Sequence, residues 1–592
     1  MITEVNGMSV AFQSCIKQPR AFKAKVHEKW SLGADGMRRH EIPKGYFEAR
    51  RHPEAPLIWA AMLREFNSHM DCGTWEYRPE SECYADGREP IDCMWVYDCK
   101  VDQTSREFLL WKARLVGRGD QMVYLRDFFQ TYSGVVRLST FRIFLAVCAL
   151  YGLQLTGADV STAYLHAPLR NCTVWMRQPR GFGGVTVNGE PALCLLKMAL
   201  YGLRQSAREW ALTLCTWLLA PAQAFRRCIS DRYLFVKRVG DSVMYLLLWV
   251  DDIFIGCNDV AMRGTFMKSF MAEFRVKDLG ALRQGLGASI MQDLEAGTVT
   301  LSLATYIGDV ARKFDLSEDV SWADIPVPVA LYKECVAAVV TEAESADYIE
   351  AYRTIVGCVV FIATFVRPDV AFAAHALSTF NSKPGAVHMR LARRVMGYLS
   401  LTRDLCLTYR RGDGASISSS FKPQPSTEPL TPDRTGLPHQ PVDSDHAIVR
   451  STTGWLTMMA GAAVMWAVRS QLNPSLSSSE AELYGLSTSV CDLLAFLNVL
   501  EEMEVGFKEA VPILVDSRAA RLIAEDCASS ARTRHIHRRW FFVQFFITDG
   551  MVRIVEVRGT HNPANFMTKA VGGASFRQDR CYALGIRETR AT

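Results

Sequence analysis

Val243-Met244-Tyr245-Leu246-Leu247-Leu248-Trp249-Val250-Asp251-Asp252-Ile253-Phe254 places two adjacent carboxylates between two apolar runs. Two strand-like runs interrupted only by acid predict a hairpin with its acids at the tip and its flanks buried. Such a tip can present oxygen ligands to a hard divalent cation while the strands hold it still. Asp is also favoured in turns for backbone reasons alone, so the pair by itself does not specify metal chemistry.

A third acid lies upstream. Asp159 opens Asp159-Val160-Ser161-Thr162-Ala163-Tyr164-Leu165 after the apolar approach Tyr151-Gly152-Leu153-Gln154-Leu155, again at a strand end. An acid there is costly unless it is exposed or paired. Phosphoryl transfer by two metals needs carboxylates from separate segments that converge on ions ~3.5–4 Å apart, and Asp159 with Asp251 is a candidate pair.

Composition bounds the reading. The chain has 592 residues, 49% of them hydrophobic, as in a globular protein. That length predicts roughly three to five domains. The net charge of +5 is mild, but basic residues cluster at Met37-Arg38-Arg39-His40, Arg50-Arg51-His52, Arg532 to His535 and Arg538-Arg539. Such clusters track phosphate backbones or form solvated faces. The 17 cysteines form no CxxC pair and no zinc-knuckle spacing. With no secretory pattern at the start, they are expected as free thiols in a reducing, intracellular compartment. Val356 to Val366 and Trp455 to Val468 are the longest apolar stretches, shorter than a bilayer span, so a soluble protein without membrane contact is expected.

Texture divides the chain. Residues 1–54 are polar and basic. Trp59, Met62, Leu63 and Phe66 then recur at helical spacing, and mixed strand and helix patterns continue to 409. Residues 410–440 are dense in Ser, Pro, Gly and Asp and read as a linker. A compact domain is expected over 441–586, with a tail at 587–592.

The order Asp159…Tyr164, then Tyr201-Gly202-Leu203-Arg204-Gln205-Ser206-Ala207-Arg208-Glu209-Trp210, then Val250-Asp251-Asp252 resembles the reverse transcriptase of copia-type retrotransposons. Lys112-Ala113-Arg114-Leu115-Val116-Gly117-Arg118-Gly119 resembles that family's basic fingers segment. Arg367-Pro368-Asp369 and His388 resemble its region after the palm. The resemblance implies an α/β (α+β) chain: a right-hand polymerase with fingers and palm over 55–300, and a thumb and connection region over 301–409. A C-terminal ribonuclease H-like α/β domain would follow over 441–586. The family's protease and integrase motifs are not found, so the chain is expected to be the 3′ segment of a Pol reading frame or a processed unit.

Roles follow from the same resemblance. Asp159 and Asp251 would hold two Mg²⁺ ions, with Mn²⁺ as a substitute, and Asp252 would support the metal or primer end. Lys112 and Arg114 would neutralise the triphosphate. Tyr164 would block a 2′-hydroxyl, and Gly202 and Gln205 would support nucleotide and template. Partners would be an RNA template, a DNA primer, the RNA–DNA hybrid and deoxynucleotide triphosphates, acting in cytoplasmic virus-like particles or the nucleus.

In the C-terminal domain the implied metal ligands are Asp443, Glu482 and Asp516. Glu482 is preferred because Glu482-Leu483-x-Gly485-Leu486 matches the family's helix, whereas Glu480 lies roughly 160° away. Asp445 is the rival to Asp443. His561-Asn562-Pro563-Ala564-Asn565-Phe566-Met567-Thr568-Lys569 resembles the closing motif, and His561 and Asn565 would contact substrate. Three positions depart from the pattern: Asn565 stands for the usual Asp, Trp249 for Tyr and His446 for an aromatic. Two other readings therefore stay open, a catalytically silent remnant that binds nucleic acid and a host-recruited scaffold.

Overall fold

The computed structural model describes residues 31–32, 38–40, 42–101, 108–316, 325–411, 418–424, 451–471, 478–506, 509–516 and 537–587. Asp443, Asp445, His446, His535, most of the basic lead-in and most of the expected linker and tail lie outside them. Two compact units form: residues 1–133 with 161–220, and residues 134–160 with 221–592.

In the first unit, Cys93–Val101 and Phe108–Gly117 form an antiparallel hairpin. Burial alternates along Trp111 to Gly117, so Trp111, Ala113 and Leu115 enter the core while Lys112 and Arg114 share the half-exposed face. Helix Ala55–Asp71 packs against this strand, as the helical spacing predicts. Its buried stripe is Ile58, Ala61, Met62, Glu65 and His69, whereas Trp59 and Leu63 stay exposed. The periodicity thus predicts the helix correctly but puts its apolar face about one residue off. A smaller sheet runs Trp75–Pro79, Glu190–Leu196, Trp175–Met176.

The second unit is built on a six-stranded antiparallel sheet. Its order is Arg226–Arg227, Leu234–Val239, Ser242–Trp249, Asp252–Cys257, Gln154–Val160, Val276–Ala281. Val243 to Leu248 is buried at every position, which is why the run is apolar throughout rather than alternating. Helix Leu138–Tyr151 covers one face: Phe141 meets Phe254 edge to face at 4.9 Å, and Gly256 leaves room for Phe144 and Cys148. Beyond the sheet come helices Ala304–Lys313, Val329–Ala337, Glu342–Phe365, Ala371–Thr379 and Ala386–Leu401.

A five-stranded sheet closes the unit, in the order Ala462–Ser470, Thr452–Met459, Ser418–Gln424, Val511–Val515, Val552–Glu556. The first three strands are antiparallel and the last two pairings parallel. Its middle strand falls inside the stretch whose composition reads as linker. Pro423 is tolerated there because pairing with Val511–Val515 involves Ser419 and Ser420, short of the proline.

Helices Glu342–Phe365 and Ser478–Glu502 are long and apolar enough to cross a bilayer by length and composition, which the shorter apolar stretches do not foretell. Both contribute to the buried core, through Tyr352, Val359 and Ile362 in one and Leu483, Val490 and Leu497 in the other.

Candidate active site

The central sheet brings the acids at 159, 251 and 252 to one end of the sheet. Asp252 and Asp159 are directly opposed across neighbouring strands. Opposed residues in an antiparallel pair have Cα atoms roughly 4.5–5.5 Å apart and side chains on one face. Asp251 is the second residue of the two-residue turn between Trp249 and Asp252, and its carbonyl accepts a hydrogen bond from the Val160 amide at 3.1 Å. All three residues are half-buried, and the Oδ1 oxygen of Asp251 is itself buried.

The turn itself is unusual. Val250 has φ 58°, in the left-handed region where a β-branched residue is strained. Two-residue hairpins normally place Asn or Gly at such positions. Strain of this kind costs on the order of 1–3 kcal/mol and persists only where the surroundings impose it. Here the imposing contacts are the register of the hairpin and the Val160–Asp251 bond.

On its other side Asp159 faces Lys277 of strand Val276–Ala281. Asp252, Asp159 and Lys277 therefore form a row across three strands on one face of the sheet. Lys277 is exposed. Sequence reasoning misses it because the segment Val276-Lys277-Asp278-Leu279 has no apolar alternation to mark a strand. Arg263 sits nearby in chain terms but is committed elsewhere, to Asp278 at 2.5 Å and Thr156 at 3.0 Å.

Among the described residues, no three His, Cys, Asp or Glu side chains are gathered closely enough to hold an ion as they stand. The acids at 159, 251 and 252 are brought together by backbone register, and their donor chemistry, carboxylate oxygen only, suits Mg²⁺ or Mn²⁺.

In the first unit, two of the quoted motifs meet. The Gly117 amide donates to the Tyr201 carbonyl at 2.8 Å, and Arg204 Nε donates to the Gly119 carbonyl at 2.9 Å. Gly202, at φ 92°, lies so close that an added Cβ would stand 2.2 Å from the Gly117 carbonyl oxygen. The close backbone approach that glycine allows here is thus made to the chain itself. Arg114 lies over the Tyr201 ring, 5.8 Å from its centroid, and Tyr164 packs edge-on against the same ring at 4.7 Å. Tyr164 is buried on the short helix Ala163–His166. Lys112 shares the strand face of Arg114, opposite Asp98. Gln205 is buried, and its amide nitrogen donates to the Asp127 carbonyl at 3.2 Å.

The C-terminal acids are partly described. Glu482 is half-buried in the first turns of helix Ser478–Glu502. Buried Gln471 pins that turn to the sheet, donating to the Ala481 carbonyl at 2.9 Å and to Thr453 Oγ1 at 3.0 Å. Asp516 follows strand Val511–Val515, and its Oδ2 lies 3.3 Å from where a Cβ on Gly559 would stand. Asn565 is buried, and its side-chain nitrogen donates to the Gly559 carbonyl at 2.6 Å. Gly559 therefore adjoins both Asp516 and Asn565, while His561 is exposed two residues on. Asp443, the remaining acid of the expected set, lies outside the described residues.

Comparison with known proteins places the central part of the chain in a described family. Residues 83–328 match the reverse transcriptase (RNA-dependent DNA polymerase) family. The chain is 27% identical over 540 residues to the retrovirus-related Pol polyprotein from transposon TNT 1-94 of Nicotiana tabacum, covering 90% of this chain and 38% of that protein. It is 27% identical over 537 residues to the Pol polyprotein from transposon RE1 of Arabidopsis thaliana, covering 90% and 34%. The chain thus spans about a third of the length of these curated relatives. A solved foamy viral protease–reverse transcriptase in complex with double-stranded DNA is similar with a TM-score of 0.42 at 10% identity, covering 89% of this chain and 72% of that one. Residues 83–328 thus carry a reverse transcriptase domain, and along nine-tenths of its length the chain is similar to copia-type retrotransposon Pol polyproteins.

Proposed function

We propose that the chain is an RNA-directed DNA polymerase with an attached ribonuclease H-like domain, copying retrotransposon RNA into DNA. The observation that carries this reading is the register of Asp159 against Asp252, with Asp251 in the adjoining turn tied to Val160. Acids from chain segments about ninety residues apart meet at one end of one sheet, as two-metal nucleotidyl transfer requires.

Bound there, two Mg²⁺ ions would supply charge neutralisation at the α-phosphate and lower the pKa of the primer 3′-hydroxyl. Asp159 and Asp251 would hold them, and Asp252 would orient the primer end. Lys277, beside Asp159, adds positive charge where the transferred phosphate gains negative charge. On the finger strand, Lys112 and Arg114 would take the triphosphate, Arg114 by two parallel hydrogen bonds. Tyr164 would exclude a 2′-hydroxyl, its ring held by Tyr201. Gly202 and Gln205 would fix the loop that supports nucleotide and template.

The C-terminal sheet supports the second activity. What supports it is a sheet of three antiparallel strands followed by two parallel pairings, with the acid Asp516 after the fourth strand in chain order. Asp443, Glu482 and Asp516 would be its metal ligands, with Asn565 and His561 at the substrate. Template RNA, primer and hybrid would be held mainly through backbone and 2′-hydroxyl contacts.

A second reading, a silent remnant that still binds nucleic acid, is favoured by Trp249 at the hairpin tip and by Asn565. Primer extension decides between them. Purified protein with a primed RNA template, deoxynucleotides and Mg²⁺ or Mn²⁺ is expected to extend the primer, and Asp251→Asn to abolish extension. Equal inactivity of both proteins would leave the remnant.

A further inference from the structure

The first unit carries an exposed aromatic loop whose shape is fixed from below. Tyr124, Phe129 and Tyr132 are 60%, 48% and 69% exposed, an unusual density of open rings for one short segment. Leu125, at the tip with φ 66°, is exposed as well.

The loop is built rather than loose. Buried Asp127 accepts from the Val123 amide at 2.8 Å, and the Leu125 amide donates to the Phe128 carbonyl at 2.9 Å. Gln205 holds the Asp127 carbonyl, and Arg208 holds the Gln130 side chain at 2.7 Å. The rings are thus presented outward by a scaffold, which lowers the ordering cost of binding to them.

Charge points to the occupant. Asp127 is shared by Arg88 at 3.2 Å and Arg126 at 2.9 Å. Glu209 is shared in the same way by Arg170 at 2.7 Å and Arg208 at 3.1 Å. Each acid is matched by two guanidiniums, so the loop's support carries an excess of positive charge. Burial alone would raise the Asp127 pKa, but the bonds from Arg126 and the Val123 amide hold it below the usual value, keeping the carboxylate charged and the arginines in place. An aliphatic partner surface has no use for that excess, whereas a polyanion with flat bases uses both the cations and the rings.

We infer that Tyr124, Phe129 and Tyr132 form a stacking surface for unpaired nucleotides, as in the single-stranded part of a template. The inference rests on the polymerase reading for the identity of the strand and adds to it a binding surface outside the three acids. Each base stacked on a ring adds to single-strand affinity, so removing the set is expected to weaken binding by at least about 10-fold.

The test uses the full chain and a labelled single-stranded oligouridylate, with a blunt RNA–DNA hybrid of equal length as comparison, read by fluorescence anisotropy. The triple change Tyr124→Ala, Phe129→Ala and Tyr132→Ala is expected to lose single-strand affinity by that factor and hybrid affinity much less. Tyr124→Phe with Tyr132→Phe, which keeps the rings, is expected to bind as the parent does. Single-strand binding unchanged in the alanine variant overturns the inference, as does a parent that does not bind the single strand. So does an alanine variant altered only in sedimentation, which would make the loop a self-association patch. Ring-dependent binding by a chain that does not extend primers would sink the polymerase reading alone, and extension with ring-independent binding would sink the stacking surface alone.

Discussion

At the scale of single residues, backbone register decides what each acid can do. Asp159 has Asp252 on one side and Lys277 on the other, so the lysine is the one cation in that three-strand row. Lys277→Ala should lower primer extension by roughly 10- to 100-fold while leaving the melting temperature within about 2 °C of the parent, because an exposed side chain contributes little to stability. Extension at the parental rate would remove Lys277 from the site. Position 565 allows a second test. With the Asn565 amide donating to the Gly559 carbonyl, Asn565→Asp sets two oxygens against each other and should cost about 1–3 kcal/mol. Metal bound between the introduced carboxylate and Asp516 would offset that cost, so hybrid cleavage should rise and added Mg²⁺ should restore the lost stability. A variant that Mg²⁺ neither stabilises nor activates would end the reading of this pocket as a metal site. The paired acids are legible in the sequence because their apolar flanks are continuous. Lys277 is not, since its strand lies at the sheet edge and has polar residues on both faces.

At the scale of elements, buried polar groups locate joints that periodicity does not reveal. Arg367 and Asp369 are almost wholly buried, paired at 2.7–2.8 Å, and closed by Tyr398, whose hydroxyl donates to Asp369 at 2.6 Å. Burial would raise the Asp369 pKa, but Arg367 and the Tyr398 hydroxyl hold it below the usual carboxylate range. The unfolded chain therefore takes up this proton first as pH falls. The stability supplied by the pair is complete at neutral pH and is lost as pH drops below about 4 toward the folded value. Thermal melts from neutral to acid pH should show that loss in the parent and a flatter profile in Asp369→Asn. Asp369→Ala, which strands the Arg367 charge, should cost roughly 3–5 kcal/mol by urea unfolding. The motif Arg367-Pro368-Asp369 is visible in the sequence as a likeness. That it is a closed internal ion pair follows only from helix Ala386–Leu401 supplying Tyr398, with Thr402 just beyond it. Strand Ser418–Gln424 is illegible for the opposite reason, because its Ser- and Pro-rich composition carries no strand pattern and its place depends on partners distant in the chain.

At the scale of the second unit as a whole, texture predicts separable domains joined by a linker, while the packing is continuous. One buried cluster runs from Phe141 and Phe254 through Val359 to Trp455 and Leu483. Arg142, fully buried on helix Leu138–Tyr151, donates to the carbonyls of Val464 at 2.8 Å, Thr364 at 2.9 Å and Phe365 at 3.0 Å, and lies over the Trp466 ring at 4.0 Å. Burial lowers its pKa to about 10, which leaves it charged at neutral pH. Tyr245, inside the acid-bearing sheet, donates to the Met503 carbonyl at 2.7 Å, and Glu502 accepts from the Ile229 and Ser230 amides at 2.6 and 3.0 Å. These bonds tie the sheet that carries Asp159 and Asp251 to the helix that carries Glu482. The two halves should therefore unfold together, in one calorimetric transition. Arg142→Met leaves the buried carbonyls of Val464 and Phe365 without this donor and should destabilise that transition by roughly 2–4 kcal/mol. Two transitions in the parent, with Arg142→Met shifting only one of them, would show instead that the halves fold independently and that the joint contributes little to holding Glu482 in place.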